Sequence, residues 1–215
     1  IHCETFYVMT NVPKTSLPTI LVDQTIEYLV YQHFVKSKPF PIRLLLNIDV
    51  AKLKFWERHF WQKASKVVAV SEGDKKAMLR LDPSLKVDLV PNGVDLDFFL
   101  PKKTRSLGIE RILFVGNFKW LQNVEAAEVL VKEIFPQVKD KIKDAQLQIV
   151  GQHLPERILA LGDKDILIEN LQEADVEGIK KAYNEASVFV APVKGPGGTR
   201  LKNLAAMASK LPTVT

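Results

Sequence analysis

The sequence predicts an α/β protein built from parallel-sheet units in two halves, and three observations predict it. Short apolar runs alternate with segments of helical period along most of the chain, the pattern of βαβ units. A basic, patternless segment that opens on a leucine and a proline, Leu100-Pro101-Lys102-Lys103-Thr104-Arg105, separates the halves and reads as a linker. Near the C-terminus the apolar run Ser187-Val188-Phe189-Val190-Ala191 leads into Gly195-Pro196-Gly197-Gly198 and then into a short helical pattern.

In the first half, strands are expected at residues 2–8, 19–22, 66–70 and 87–90, with helices at 23–35 and 50–64. The second half opens with a strand at 111–116. A helix is expected at 123–135, because Val124, Ala127, Val131 and Ile134 recur on one face. Strands follow at 145–151 and 166–169, then a helix at 175–186 on which Val176, Ile179 and Tyr183 align. A strand at 187–191, the glycine-rich turn, a helix at 200–209 and the start of a strand at 211–215 complete the series. This order is doubly wound, and in such sheets ligands bind outside the carboxyl ends of the strands.

Composition sets the class. With 47% hydrophobic and 26% charged residues, 215 residues suffice for a core and are ordinary for a soluble domain. The net charge of +5 favours anionic partners, but basicity alone does not make a nucleic-acid-binding surface, and none is expected. A single cysteine, Cys3, excludes a disulfide framework and suits a reducing, cytoplasmic setting. His2, His33, His59 and His153 are scattered without metal-ligand spacing, so no metal site is expected. No apolar run approaches the length of a membrane span. Both ends read as interior segments, so the chain is expected to be part of a longer protein.

The turn after residue 191 carries the chemistry. Strand, glycine-rich turn and helix start together present bare backbone N–H groups to an anion. Gly197 and Gly198 permit close approach of the backbone. Thr199 is placed to cap the helix, and Arg200 and Lys202 bring positive charge to its N-terminus. The segment reads as a diphosphate cradle, and so points to a nucleotide or nucleotide sugar. It fits neither the G-x-x-x-x-G-K-[ST] nor the G-x-G-x-x-G pattern. The plain alternative is a strand–helix turn that binds nothing.

Four segments resemble one family. Val90-Pro91-Asn92-Gly93-Val94-Asp95 is similar to the "vPNGVD" signature of the retaining glycosyltransferases of group 1, or family 4. Val68-Ala69-Val70-Ser71-Glu72-Gly73-Asp74 resembles their "VVAVSExD" strand, and Phe114-Val115-Gly116-Asn117-Phe118-Lys119-Trp120 resembles "fvGsmdw". The glycine-rich turn with Ala205-Ala206-Met207-Ala208 resembles "GxGtRlKilEAMA". The four occur in the family's order, over residues 66–215. A weaker match, Thr19-Ile20-Leu21-Val22-Asp23-Gln24-Thr25-Ile26-Glu27, precedes them.

The resemblance implies a GT-B architecture of two Rossmann-like domains. A partial N-terminal, acceptor-side domain would span residues 1–103, and a C-terminal donor domain 104–215. It implies transfer of a sugar from a nucleotide-diphosphate donor to a saccharide or lipid-linked acceptor, with retention and without a bound metal or other cofactor. The leaving diphosphate gains negative charge as the glycosidic bond breaks, and fixed N–H donors and cations stabilise it. Gly116, Asn117, Lys119, Gly197, Gly198, Thr199, Arg200 and Lys202 are the candidate donor-binding residues. His2, Glu4 and Glu27 are candidates to orient or deprotonate the acceptor; as ordinary strand and helix residues they would do neither.

The sequence departs from the family at informative places. Gly197 and Ala205 stand where members usually carry two glutamates, Lys210 where they carry a glycine, and Asn117 where many carry a basic residue. A methyl group at 205 accepts no hydrogen bond from a ribose hydroxyl. This keeps open a non-catalytic binding or scaffold module, as well as a partner chain that completes the fold. An unrelated Rossmann-type protein is the third reading. Asp95-Leu96-Asp97 reads as a turn and helix start or, less simply, as a D-x-D metal motif. Residues 51–66, with Lys52, Lys54, Arg58, Lys63, Trp56, Phe60 and Trp61, form either a basic amphipathic helix that lies on the inner face of a membrane or core aromatics beneath a solvated basic face.

Overall fold

The computed structural model describes residues 1–101, 110–173, 175–195 and 199–215. The chain divides into two compact units, Ile1–Asn92 with Gly195–Arg200, and Gly93–Lys194 with Leu201–Thr215.

The first unit runs β1 (His2–Glu4), α1 (Phe6–Met9), β2 (Ile20–Asp23), α2 (Glu27–Lys36), α3 (Phe40–Lys63), β3 (Lys66–Ala69), α4 (Glu72–Leu81) and β4 (Val87–Leu89). Its sheet is wholly parallel in the order β1-β2-β3-β4. Leu21 pairs with Cys3 on one side and Val67 on the other, and these pack against Phe60 and Trp61 of α3 and Met78 of α4. Helix α4 is capped by Ser71, whose Oγ accepts the Asp74 N–H at 3.0 Å.

Two expectations change here. The first strand stops at Glu4 instead of continuing to residue 8. Thr5 takes a positive φ of 72°, and Phe6 and Met9, three apart, both turn into the core as a helical turn. Helix α3 begins at Phe40, well before residue 50. Phe40, Leu44 and Leu45 in its first half are all exposed, so no buried stripe marks this part of the helix in the sequence.

The second unit contains α5 (Leu96–Phe99), β5 (Arg111–Asn117), α6 (Leu121–Val129), a π-helical turn (Leu130–Ile134), α7 (Phe135–Lys141), β6 (Gln146–Gln152), α8 (Glu156–Leu159), β7 (Ile166–Asn170), α9 (Val176–Glu185), β8 (Val188–Val190), α10 (Leu201–Ala208) and β9 (Thr213–Val214). All strands are parallel, in the order β7-β6-β5-β8-β9. The chain builds outward from β5 to β7, then returns to the other side of β5 for β8. The order reverses between β5 and β8, where a ligand crevice is expected. The single expected helix at 123–135 continues to Lys141 through the π turn. That turn precedes Pro136, which lacks an N–H and crowds the carbonyl of Lys132 one turn back.

The core joins Leu113, Phe114, Leu147, Ile149 and Phe189 of the strands to Leu130, Ile158, Tyr183 and Ala206. Segment Gly93–Leu100 belongs to this unit because its aromatics are anchored there. Phe99 meets the Tyr183 ring edge-on at 5.5 Å, and the Lys180 ammonium sits 4.6 Å from the Phe98 ring centre. Residues 102–105 of the expected linker, and the expected 103/104 boundary, lie outside the described residues.

Candidate functional site

The crevice starts from two glycines. Gly116 near the end of β5 pairs in register with Gly151 near the end of β6. A Cβ on Gly151 would lie 1.8 Å from the Gly116 carbonyl oxygen, and one on Gly116 would lie 3.1 Å from the Asn123 side chain. The floor of the crevice is therefore bare backbone, and no larger residue fits at 151.

Asn123, buried at the start of α6, organises one side. Its Nδ2 donates to the Asn117 carbonyl at 2.6 Å and closes the β5–α6 turn. Its Oδ1 accepts from Lys202 Nζ at 2.6 Å. The Lys202 ammonium also lies 4.8 Å from the centre of the Phe114 ring. Asn117 Oδ1 in turn accepts the Lys119 backbone N–H at 3.0 Å. Lys202 thus reaches the carboxyl end of β5 from α10.

Tyr183 of α9 supplies the opposite wall. It is almost wholly buried, its ring stacks on Phe189 at 5.7 Å, and its hydroxyl donates to the Lys202 carbonyl at 3.1 Å. Burial pushes its phenol far above the usual value, so it stays a neutral donor. Between these walls lies a cavity of about 490 Å³. Gly116, Asn117, Gly151, Gln152 and Lys202 border it, and Val94, Phe99, Val115, Ile179, Leu201 and Ala205 give it apolar sides. Such a site, apolar with a few convergent polar groups at the carboxyl ends of parallel strands, is the usual form of a small-molecule pocket.

The candidate residues fall into separate places. Gly116, Asn117 and Lys202 meet at the cavity. Lys119 points its ammonium to Glu173, at 3.4 Å, and His153 Nε2 lies 3.0 Å from the same Glu173 oxygen. The hydrogen bond from Lys119, then its charge and His153, hold Glu173 below the usual carboxylate range. Thr199 and Arg200 lie in the first unit. The Thr199 hydroxyl donates to the Val70 carbonyl at 2.5 Å, and Arg200 Nη2 donates to the Gly195 carbonyl at 3.1 Å. Gly197 and Gly198 lie outside the described residues.

On the acceptor side, exposed His2 and Glu4 approach each other to 3.9 Å, and Gln24 Nε2 donates to Glu4 at 3.4 Å. Glu27 opens α2, and burial raises its carboxyl above the usual value. Asp95 is used as a helix cap, its Oδ1 accepting the Phe98 N–H at 2.9 Å. No group of three or more His, Cys, Asp or Glu suited to a metal occurs among the described residues. No described helix is long and apolar enough to cross a membrane. Of the aromatics on α3, Phe60 and Trp61 are core, whereas Phe55 and Trp56 are exposed.

Sequence reasoning missed Gly151, Tyr183 and Phe99 at the cavity, and Asp23, Glu57 and Trp61 in the first unit. Gly151 sits at the end of a strand, a usable signal once its pairing with Gly116 is known. The buried Glu57 stands in a helix otherwise rich in surface charge, and nothing in its neighbours marks it.

Residues 109–215 match the model of the family described as glycosyl transferases group 1. Among solved structures, sucrose-phosphate synthase from Thermosynechococcus elongatus is 20% identical with a TM-score of 0.70, the alignment covering 99% of this chain and 54% of that one. TarM is 14% identical with a TM-score of 0.68, over 99% of this chain and 39% of that one. A UDP-forming α,α-trehalose-phosphate synthase from Burkholderia vietnamiensis is 11% identical with a TM-score of 0.56, over 90% of this chain and 52% of that one. The chain therefore spans about half, or less, of the length of these structures, and at such identities the likeness is one of fold. No curated protein sequence matches the chain. Residues 109–215 thus resemble a glycosyl transferases group 1 domain, and the chain has the GT-B fold.

Proposed function

We propose that the chain is part of a glycosyltransferase that moves a sugar from a nucleotide-diphosphate donor to a saccharide or lipid-linked hydroxyl, with retention of configuration, and that the second unit holds the donor. The observation that carries this reading is the cavity at the carboxyl ends of β5 and β6, with its glycine floor and Lys202 at its edge. A planar base and sugar suit apolar walls, and a diphosphate suits bare N–H groups and an ammonium. Charge develops on the diphosphate as the glycosidic bond breaks, so Lys202 acts mainly on the transition state. The glycine-rich segment ahead of Lys202 is the proposed source of backbone donors, and Lys119 of a second cation. In this reading Glu27, His2 and Glu4 serve the acceptor.

Ala205 favours a second reading. It presents a methyl to the cavity, and a methyl accepts no hydrogen bond from a ribose hydroxyl. A non-catalytic binding or scaffold module would tolerate that loss. Calorimetric titration with UDP, GDP and ADP separates the two. The first reading expects one nucleotide to bind, about tenfold more weakly in Lys202→Ala and more tightly in Ala205→Glu; tenfold is about 1.4 kcal/mol. Absence of binding in both the native chain and Ala205→Glu leaves the scaffold module as the better account.

A further inference from the structure

The turn between β2 and α2 is gripped by two buried side chains one helical turn apart on α3. Glu57 Oε1 accepts the backbone N–H of Glu27 at 2.7 Å, and its Oε2 accepts that of Tyr28 at 2.9 Å. Trp61 Nε1 donates to Asp23 Oδ2 at 2.7 Å. Glu57 and Asp23 are 0% exposed and Trp61 is 1% exposed. The helix has no cap of its own, since Ile26 at the N-cap position offers no side-chain hydrogen bond. Two N–H groups that a first turn leaves open are thus satisfied from a different helix. The last residue of β2 and the first two of α2 all lie inside this grip.

We propose that Glu57 and Trp61 are positioning residues, which hold the β2–α2 turn from α3 and so set the direction in which Glu27 projects. The grip stands independently of the reaction proposed above; only its use in orienting an acceptor-side carboxylate rests on that reading.

The choice of an acid at position 57 makes the grip proton-linked. A glutamate buried among apolar groups is costly unless its oxygens are satisfied, and here backbone donors satisfy both. The charged and titratable groups that face this region are Asp23 on β2, Glu27 and Tyr28 on α2, Tyr7 on α1, and Asp74 and Arg80 on α4. Asp23 Oδ1 is buried without a hydrogen-bond partner. Burial, reinforced by the charge of Asp23, pushes Glu57 up to about 8 against the pull of its two backbone donors. Burial likewise pushes Asp23 up to about 7, with the charges of Glu27 and Asp74 adding to it. A carboxylate accepts more strongly than a protonated acid. The two amide hydrogen bonds therefore shorten and strengthen as Glu57 ionises, while the cost of the buried charge lowers the net stability of the unit.

The test is a pH titration of the ¹⁵N-labelled chain by NMR, from weakly acidic to alkaline solution. The Glu27 and Tyr28 amides are expected to move together with a midpoint near 8, and the Trp61 indole N–H with a midpoint near 7. Glu57→Gln abolishes the amide titration and leaves that of the indole; Asp23→Asn does the reverse. Glu27→Gln, which removes the nearer carboxyl, leaves the Tyr28 amide titrating. Amides that stay still in the native chain, or that move equally in Glu57→Gln, overturn the proposal. Should Glu57→Gln fail to fold, Glu57→Asp keeps the charge but shortens the reach, and faster hydrogen exchange at the Glu27 and Tyr28 amides is then expected. Unchanged exchange there overturns it too. Nucleotide binding is read separately in the second unit, so loss of the grip and loss of the donor reading are distinct results.

Discussion

Each unit ends a parallel strand in a strand–helix turn, and in each a buried polar side chain holds that turn, but the chemistry is opposite. After β2 the holder is the acid Glu57, with Asp23 beside it. After β5 the holder is the neutral amide Asn123, which closes the turn and at the same time carries Lys202. Four carboxyls of the first unit, Asp23, Glu27, Glu57 and Asp74, are each raised by burial, and Asp23 and Glu57 also feel the charges of their acidic neighbours. The second unit instead collects an ammonium and bare backbone around a cavity. Topology alone therefore does not make a binding site. An amide adds no titrating group beside the cation it carries, whereas the buried acids tie stability to pH.

Substitutions sharpen this contrast. The largest effect is expected for Gly151→Ala, because its Cβ would fall within bonding range of a backbone oxygen that cannot swing aside. A loss of about 3 kcal/mol or more in denaturant unfolding is expected, together with loss of the cavity floor. A variant of near-native stability would mean that the two glycines are not as close as described.

The pH dependence of stability comes next. On folding, Asp23 rises from 3.8 to about 7 and Glu57 from 4.5 to about 8. The folded state holds both protons more tightly than the unfolded chain. Their contribution is intact below about pH 4, falls as pH rises and is lost above about pH 8. The first unit is expected to lose stability steadily over that range, since each tenfold change in proton affinity is worth about 1.4 kcal/mol. Denaturant unfolding at several pH values, followed by amides of the first unit, measures it. A flat profile, or one that is not flattened in Glu57→Gln, would remove the contrast with the second unit.

The smallest effect is expected for Glu173→Gln. This carboxylate is exposed and its pairs with Lys119 and His153 are screened by water, so the melting midpoint should not change measurably. Nucleotide binding should strengthen slightly, because Lys119 is then freed from Glu173. Weaker binding would assign Glu173 a direct role in holding the ligand.

Much of the fold was legible in the sequence because parallel strands buried on both faces are written as apolar runs. Arg111–Asn117 and Gln146–Gln152 lie within a residue of their expected bounds for that reason. Exposed or irregular segments were not legible. The first half of α3 buries no stripe, the turn at Thr5 departs from strand geometry, and α1, α4 and α8 escaped a reading tuned to long periodic runs. At the candidate site, Gly116, Asn117 and Lys202 were read from local motifs, since a turn followed by a helix start leaves a local trace.

What the sequence by itself determined is the α/β class, the alternation of elements and the cation that follows the glycine-rich turn, because each depends on neighbours in the chain. Only the tertiary structure decided that Gly151 lies against Gly116, that Asn123 carries Lys202, and that Glu57 and Trp61 grip a turn 30 and 38 residues before them. These pairings depend on strand register and on which helix covers which strand end. Burial then decides whether a carboxyl is a solvated charge or a proton-linked contact, and no local pattern in the chain records it.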